Sequence, residues 1–87
     1  MRVFYTPEVV DFTERLSYQD YVRLNRVRKL FERYGFQVGQ KYIKKIRLSG
    51  IWELRAGNIR LFLGIKEDKA IGVHIIRKKH KNYRSET

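Results

Sequence analysis

Cysteine is absent from this chain of 87 residues, and proline, tryptophan and methionine occur once each. With no thiol there is no disulfide, no thiolate zinc site and no cysteine nucleophile, and the two histidines alone do not make a structural metal site. The cytoplasm is the compartment this usage suggests. Long apolar runs are missing as well. No stretch approaches the roughly 20 residues needed to cross a bilayer, and Met1-Arg2-Val3-Phe4-Tyr5 meets Pro7 and Glu8 too soon for a signal h-region. A soluble protein kept inside the cell is expected. Length is limiting too: one domain of this size buries roughly 60 to 65% of its unfolded surface, so any site lies on a shallow surface.

Acid is also scarce, with 9 Asp and Glu against 20 Lys and Arg and a net charge of +11. The imbalance is local. Residues 1–36 hold 7 basic and 5 acidic side chains, whereas residues 37–87 hold 13 and 4. Hydrophobic residues at 43% supply a core, so the charge describes a surface and not a disordered chain. Such a surface suits RNA or DNA, an anionic membrane or an acidic protein, and it is equally compatible with plain solvation.

Residues 2–5 read as a short strand. Thr6-Pro7-Glu8 then supplies an N-cap, a proline at the first helical position and an acid in the first turn. Val9, Phe12, Thr13 and Leu16 form one apolar face of that helix. Ser17-Tyr18-Gln19-Asp20 resembles a capping box and opens a longer helix ending at Gly35, with Leu24, Val27, Leu30, Phe31 and Tyr34 on its apolar side. Its polar side, including Arg26, Arg28, Lys29 and Arg33, is a solvated face or a groove for a partner. Residues 36–50 read as an irregular connection with a short strand at Tyr42 to Ile46. The period then becomes two, giving strands at 51–55, 59–65 and 70–76 in an antiparallel meander. The fold class is α+β, an N-terminal strand and a helical hairpin with a small, mostly antiparallel twisted β-sheet, the hairpin on one face.

The hairpin register carries the sharpest inference. Gly57-Asn58 suits a two-residue turn of the II′ kind, which sets Ala56 opposite Ile59. Arg55 then faces Arg60 and Glu53 faces Phe62 on one side, while Leu54 faces Leu61 and Trp52 faces Leu63 on the other. Like charges directly opposed on a sheet are destabilising, so the arginine pair makes sense with an anion between the guanidinium groups, phosphate being the obvious one. The plainer alternatives are that both side chains splay into water or that Glu53 neutralises Arg55. The next loop has undetermined parity. An odd loop, favoured here, places His74 near Arg60 and sends Ile71, Val73 and Ile75 into the core; an even loop inverts this.

Two further clusters are basic. Arg77-Lys78-Lys79-His80-Lys81, with Tyr83 beyond, suits a nucleic-acid backbone and a stacked base. Lys41, Lys44, Lys45 and Arg47 form the other.

Taken together, several segments resemble the RelE/ParE superfamily of toxins from bacterial toxin-antitoxin pairs, especially its RelE- and HigB-like ribonucleases. Val3-Phe4-Tyr5-Thr6-Pro7-Glu8 looks like the family's opening strand and helix. Lys44-Lys45-Ile46-Arg47-Leu48-Ser49-Gly50-Ile51-Trp52-Glu53-Leu54-Arg55 looks like its K-L-x-G-x-W/Y-E-L-R segment. Ile59-Arg60-Leu61-Phe62-Leu63 looks like its Y-R-V-x-Y strand, and His74-Ile75-Ile76-Arg77-Lys78-Lys79 like its H-x-F-x-K-K end. The resemblance covers most of the chain, and Leu54-Arg55 followed five residues later by Arg60 is its most specific part.

It implies a single RelE/ParE-like toxin domain over 1–87, in which residues 77–87 read by their own polar, basic composition as a flexible tail, and an endonuclease that cuts messenger RNA on the 70S ribosome without metal or cofactor. The 2′-hydroxyl attacks the adjacent phosphate, leaving a 2′,3′-cyclic phosphate and a 5′-hydroxyl. Arg55 and Arg60 would bind the phosphate and its transition state, with Lys79, His80 and Tyr83 as further catalytic candidates. Lys44, Lys45, Arg47, Glu53, Arg77, Lys78 and Lys81 would contact messenger or ribosomal RNA, and the acid and base would come from Glu53, His74, His80 and Tyr83. A cognate acidic antitoxin forming a hetero-oligomer is the implied partner, with no membrane involved. The alternatives are a ParE-type inhibitor of DNA gyrase, which needs no catalytic constellation, and a basic RNA-binding module without toxicity.

Overall fold

A computed structural model describes residues 1–78, so Lys79, His80, Lys81 and Tyr83 lie outside the described residues. In chain order it comprises β1 (Arg2–Tyr5), α1 (Pro7–Glu14), α2 (Tyr18–Tyr34), a short 3-10 helix (Gly35–Val38), β2 (Ile43–Lys45), β3 (Ile51–Ala56), β4 (Ile59–Lys66) and β5 (Lys69–Arg77). Local chemistry explains the helix ends. Ser17 is the N-cap of α2 and its hydroxyl accepts from the Asp20 N–H at 3.2 Å, while Gly35 ends the helix at φ 61°, a conformation that suits a residue without Cβ. Thr6 is the N-cap of α1 by backbone geometry alone, since its hydroxyl is buried and makes no hydrogen bond among the described residues.

The strands form one sheet in the order β1-β5-β4-β3-β2. β2 to β5 pair antiparallel, and β1 runs parallel to β5, with Phe4 beside Ile71. This is the expected α+β arrangement. Val9 of α1 and Leu24, Val27 and Phe31 of α2 are buried against Leu54, Ile59, Leu61 and Leu63. Leu30 is half-buried and Tyr34 exposed, so the apolar side of α2 is narrower than the sequence suggests. A row of rings, Phe31 edge-on to Phe36 at 5.4 Å and Phe36 against Trp52 at 4.5 Å, ties the end of α2 to β3.

The β4–β5 loop corrects the parity expectation. Lys66 pairs with Lys69 across a two-residue turn, which is an even loop, and a bulge then shifts the register so that Phe62 pairs with His74. Val73 is the extra residue. Before the bulge Ala70 and Gly72 face the core, and after it Ile75 does; Ile71 is half-buried and Val73 is 41% exposed. A single inserted residue thus swaps the faces within one strand, which no count of loop residues reveals.

Candidate functional site

The hairpin between β3 and β4 positions the arginines as its turn requires. Gly57 takes φ 62°, and Arg55 pairs with Arg60 while Leu54 pairs with Leu61. The leucines are buried, so strand alternation sends both arginines to the opposite face. The turn also engages one end of Arg60: its Nη1 donates to the Gly57 carbonyl and to the Ile59 carbonyl, the latter at 3.2 Å.

An anion does lie between the two guanidinium groups, and it is Glu53. Its Oε1 accepts from Arg55 Nε at 3.1 Å, and its Oε2 lies 3.6 Å from Arg60 Nε. Arg60 Nε is buried and makes no hydrogen bond among the described residues, so the ion pair is its contact. The side chains of Glu53 and Arg60 are only 13% and 15% exposed, in contrast to 34% for Arg55. Charge repulsion across the strand pair is therefore offset from within the protein.

Beyond these residues lies a cleft of about 400 Å³, lined by Arg23, Arg26 and Val27 of α2, by Lys41 and Tyr42, and by Arg55, Gly57 and Arg60 of the hairpin. Five of the eight lining residues are cationic and none is acidic. Arg23 lies close over the turn, since a Cβ at Gly57 would come within 2.6 Å of its side chain. Lys41 Nζ sits 5.5 Å from the centre of the Tyr42 ring. A concave surface with five cations and one aromatic ring suits a phosphate backbone with a base against the ring.

The end of β5 is pinned next to this cleft. Arg77 donates to Asp20 Oδ2 at 2.6 Å, and the Lys78 N–H donates to the Asn58 carbonyl at 2.7 Å. Arg77 is therefore the last residue of a strand and is paired to α2, which corrects its assignment to a flexible tail. That hydrogen bond, with Arg23 as a weaker contributor, holds the Asp20 carboxyl below the usual carboxylate range.

Other sequence-predicted residues are dispersed. Lys44 and Lys45 are exposed on β2, Arg47 is exposed in the following turn, and none of the three lines the cleft. Lys44 pairs with Glu53 and Lys45 with Trp52, so the two point to opposite faces. His74 stacks on Phe62 at 5.9 Å and has Nδ1 4.0 Å from Glu8 Oε2, and it too lies outside the cleft lining. Conversely, Arg23 and Tyr42 line the cleft although their sequence pattern does not mark them as site residues, and Arg26, on the helix side read as a solvated face or a groove for a partner, lines it too. The available signal is Arg23 and Arg26 at i, i+3 beside buried Val27, at the border of the helical side readable as solvated or as a groove for a partner.

Among the described residues no helix is long and apolar enough to cross a membrane. No family model and no curated protein sequence matches the chain. Solved structures do. A chain of the archaeal RelE-RelB complex from Pyrococcus horikoshii OT3 superposes with a TM-score of 0.73 at 18% identity, over 92% of this chain and 97% of that one. A chain of the RelB-RelE antitoxin-toxin complex from Methanococcus jannaschii gives a TM-score of 0.69 at 16% identity, over 85% and 88%. The chain has the RelE-like α+β fold.

Proposed function

We propose that this chain is the toxin of a toxin-antitoxin pair, an endoribonuclease that cuts messenger RNA on the ribosome in the cytoplasm. One observation carries the proposal: Arg55 and Arg60 face each other across a two-residue turn and open onto a cleft with three more cations and no acid. The fold of chains from RelB-RelE complexes supports the toxin part, and the cleft supports the chemistry.

In this mechanism Arg23, Arg26 and Lys41 hold the RNA backbone and Tyr42 stacks on a base. Arg55 and Arg60 bind the scissile phosphate. The 2′-oxygen attacks phosphorus, the bond to the 5′-oxygen breaks, and a 2′,3′-cyclic phosphate and a 5′-hydroxyl result. A base takes the 2′-proton and an acid returns one to the 5′-oxygen. The arginines stabilise the charge that grows on the phosphorane oxygens, where one preorganised donor is typically worth about 3 to 4 kcal/mol. The step draws on side chains of the protein and needs no metal or cofactor. An acidic antitoxin is the partner that would neutralise so basic a surface, and ribosomal RNA is a second polyanion for the cations outside the cleft.

The test is induction of the protein followed by primer extension on translated messages. New 5′-ends inside translated regions are expected for the wild type, and Arg60→Ala should reduce them roughly 100-fold or more. Intact messages, full toxicity of Arg60→Ala, or cleaved DNA trapped on gyrase would defeat the ribonuclease assignment.

A further inference from the structure

Glu53 touches both arginines through the same kind of atom, the inner nitrogen Nε. Arg60 Nη1 is engaged by the Gly57 and Ile59 carbonyls. Within the described residues no hydrogen bond engages Arg55 Nη1, Arg55 Nη2 or Arg60 Nη2. Both arginines line the cleft, whereas Glu53 does not. The carboxylate therefore meets both guanidinium groups at their inner edges, by a hydrogen bond to Arg55 and an ion pair to Arg60, and leaves outer nitrogens without a hydrogen bond among the described residues, on two side chains that line the cleft.

We propose that Glu53 is a positioning residue, a largely buried carboxylate that holds Arg55 and Arg60 side by side through their Nε atoms so that their outer nitrogens take one phosphodiester together. Resting on the ribonuclease reading above, it removes Glu53 from the candidates for base and for direct RNA contact. A guanidinium is a planar fork, and fixing one edge fixes the direction of the other. Two forks fixed by one carboxylate cannot rotate independently. The same carboxylate offsets the repulsion that would otherwise splay the pair.

Simple charge counting predicts the opposite of this role. If Glu53 were only a negative charge near an anion site, or an occupant that phosphate must displace, Glu53→Gln would tighten binding. A positioning carboxylate makes Glu53→Gln weaken it, because the forks lose their common anchor.

The experiment uses a 2′-O-methyl oligoribonucleotide, which cannot be cut, and reads two quantities on the full chain. Fluorescence anisotropy gives its affinity for wild type, Glu53→Asp and Glu53→Gln, with melting curves to show that each is folded. Glu53→Gln should bind on the order of tenfold more weakly, the equivalent of one charge-assisted hydrogen bond, with Glu53→Asp between it and wild type. Nitrogen-15 spectra give the Nε–H signals of Arg55 and Arg60, which should stay in place as oligonucleotide is added to wild type and should both move in free Glu53→Gln. Unchanged or tighter binding by Glu53→Gln overturns the proposal. So does displacement of the wild-type Nε–H signals on binding, a result that decides the matter even where Glu53→Gln does not fold. Neither measurement depends on cleavage, so failure of the ribonuclease assignment in primer extension remains distinguishable from failure of this one.

Discussion

Gly57 serves two purposes at one position. Its φ of 62° turns β3 into β4, and its missing side chain leaves room for Arg23, which a Cβ would meet at 2.6 Å. Gly57→Ala forces a side chain into a conformation that disfavours it, at about 1 to 3 kcal/mol. The flexible end of Arg23 moves aside more cheaply than the backbone does. Equilibrium denaturation should therefore show that loss of stability, and Arg23→Ala in the Gly57→Ala background should recover little of it. Recovery of most of the loss would mean that the crowding, and not the turn, is what requires glycine.

Between elements, the contact from Arg77 at the end of β5 to Asp20 in the first turn of α2 joins residues 57 apart in the chain. Asp20 has a depressed carboxyl pKa in the folded state, so it binds a proton less readily there than in the unfolded chain. Its stabilisation is present above the usual carboxylate range and is lost as the pH falls through the lowered value. Arg77 is about half exposed, so the pair is worth roughly 0.2 to 1 kcal/mol at neutral pH. Arg77→Ala should melt a few degrees below wild type at pH 7, and the gap should close in strong acid. A gap independent of pH would remove Asp20 from the account.

How far the elements are legible in the sequence follows from the range of the forces behind them. Pro7, Ser17 and Gly35 act within a few residues, and the helices begin and end where those signals stand. The Gly57-Asn58 turn sets its register locally, so Arg55 opposite Arg60 is readable from the residues alone. The bulge at Val73 answers to packing across the sheet, and the pattern Ile71, Val73, Ile75 disguises it as plain alternation. The contributions of Arg23 and Arg26 to the cleft are hidden for a related reason. On a helix wheel they sit beside the apolar face, and it takes the hairpin folding back towards α2 to turn that border into a wall.

At the scale of the molecule, the net charge of +11 exceeds what a single cleft holds, with five cations in the lining. Only charges that meet phosphates should govern salt dependence, each contributing about 0.7 to the slope of log affinity against log salt for single strands. Arg26→Ala should lower that slope by about this amount, and Lys66→Ala, exposed at the far end of β4 and outside the cleft lining, should leave it unchanged. Equal effects from both would point to diffuse attraction with no defined track.

The parallel seam between β1 and β5 also has a meaning in time. Residues 2–5 wait for residues 69–72 before the sheet has its last neighbour, and the Arg77 and Lys78 contacts beside the cleft form later still along the chain. Synthesis proceeds from the N-terminus at about 5 to 20 residues per second, so the seam cannot close until residue 72 has been made, seconds after β1 itself. The chain therefore passes through a stage in which the cleft-lining residues 23–60 have all been made while β1 still has no partner strand.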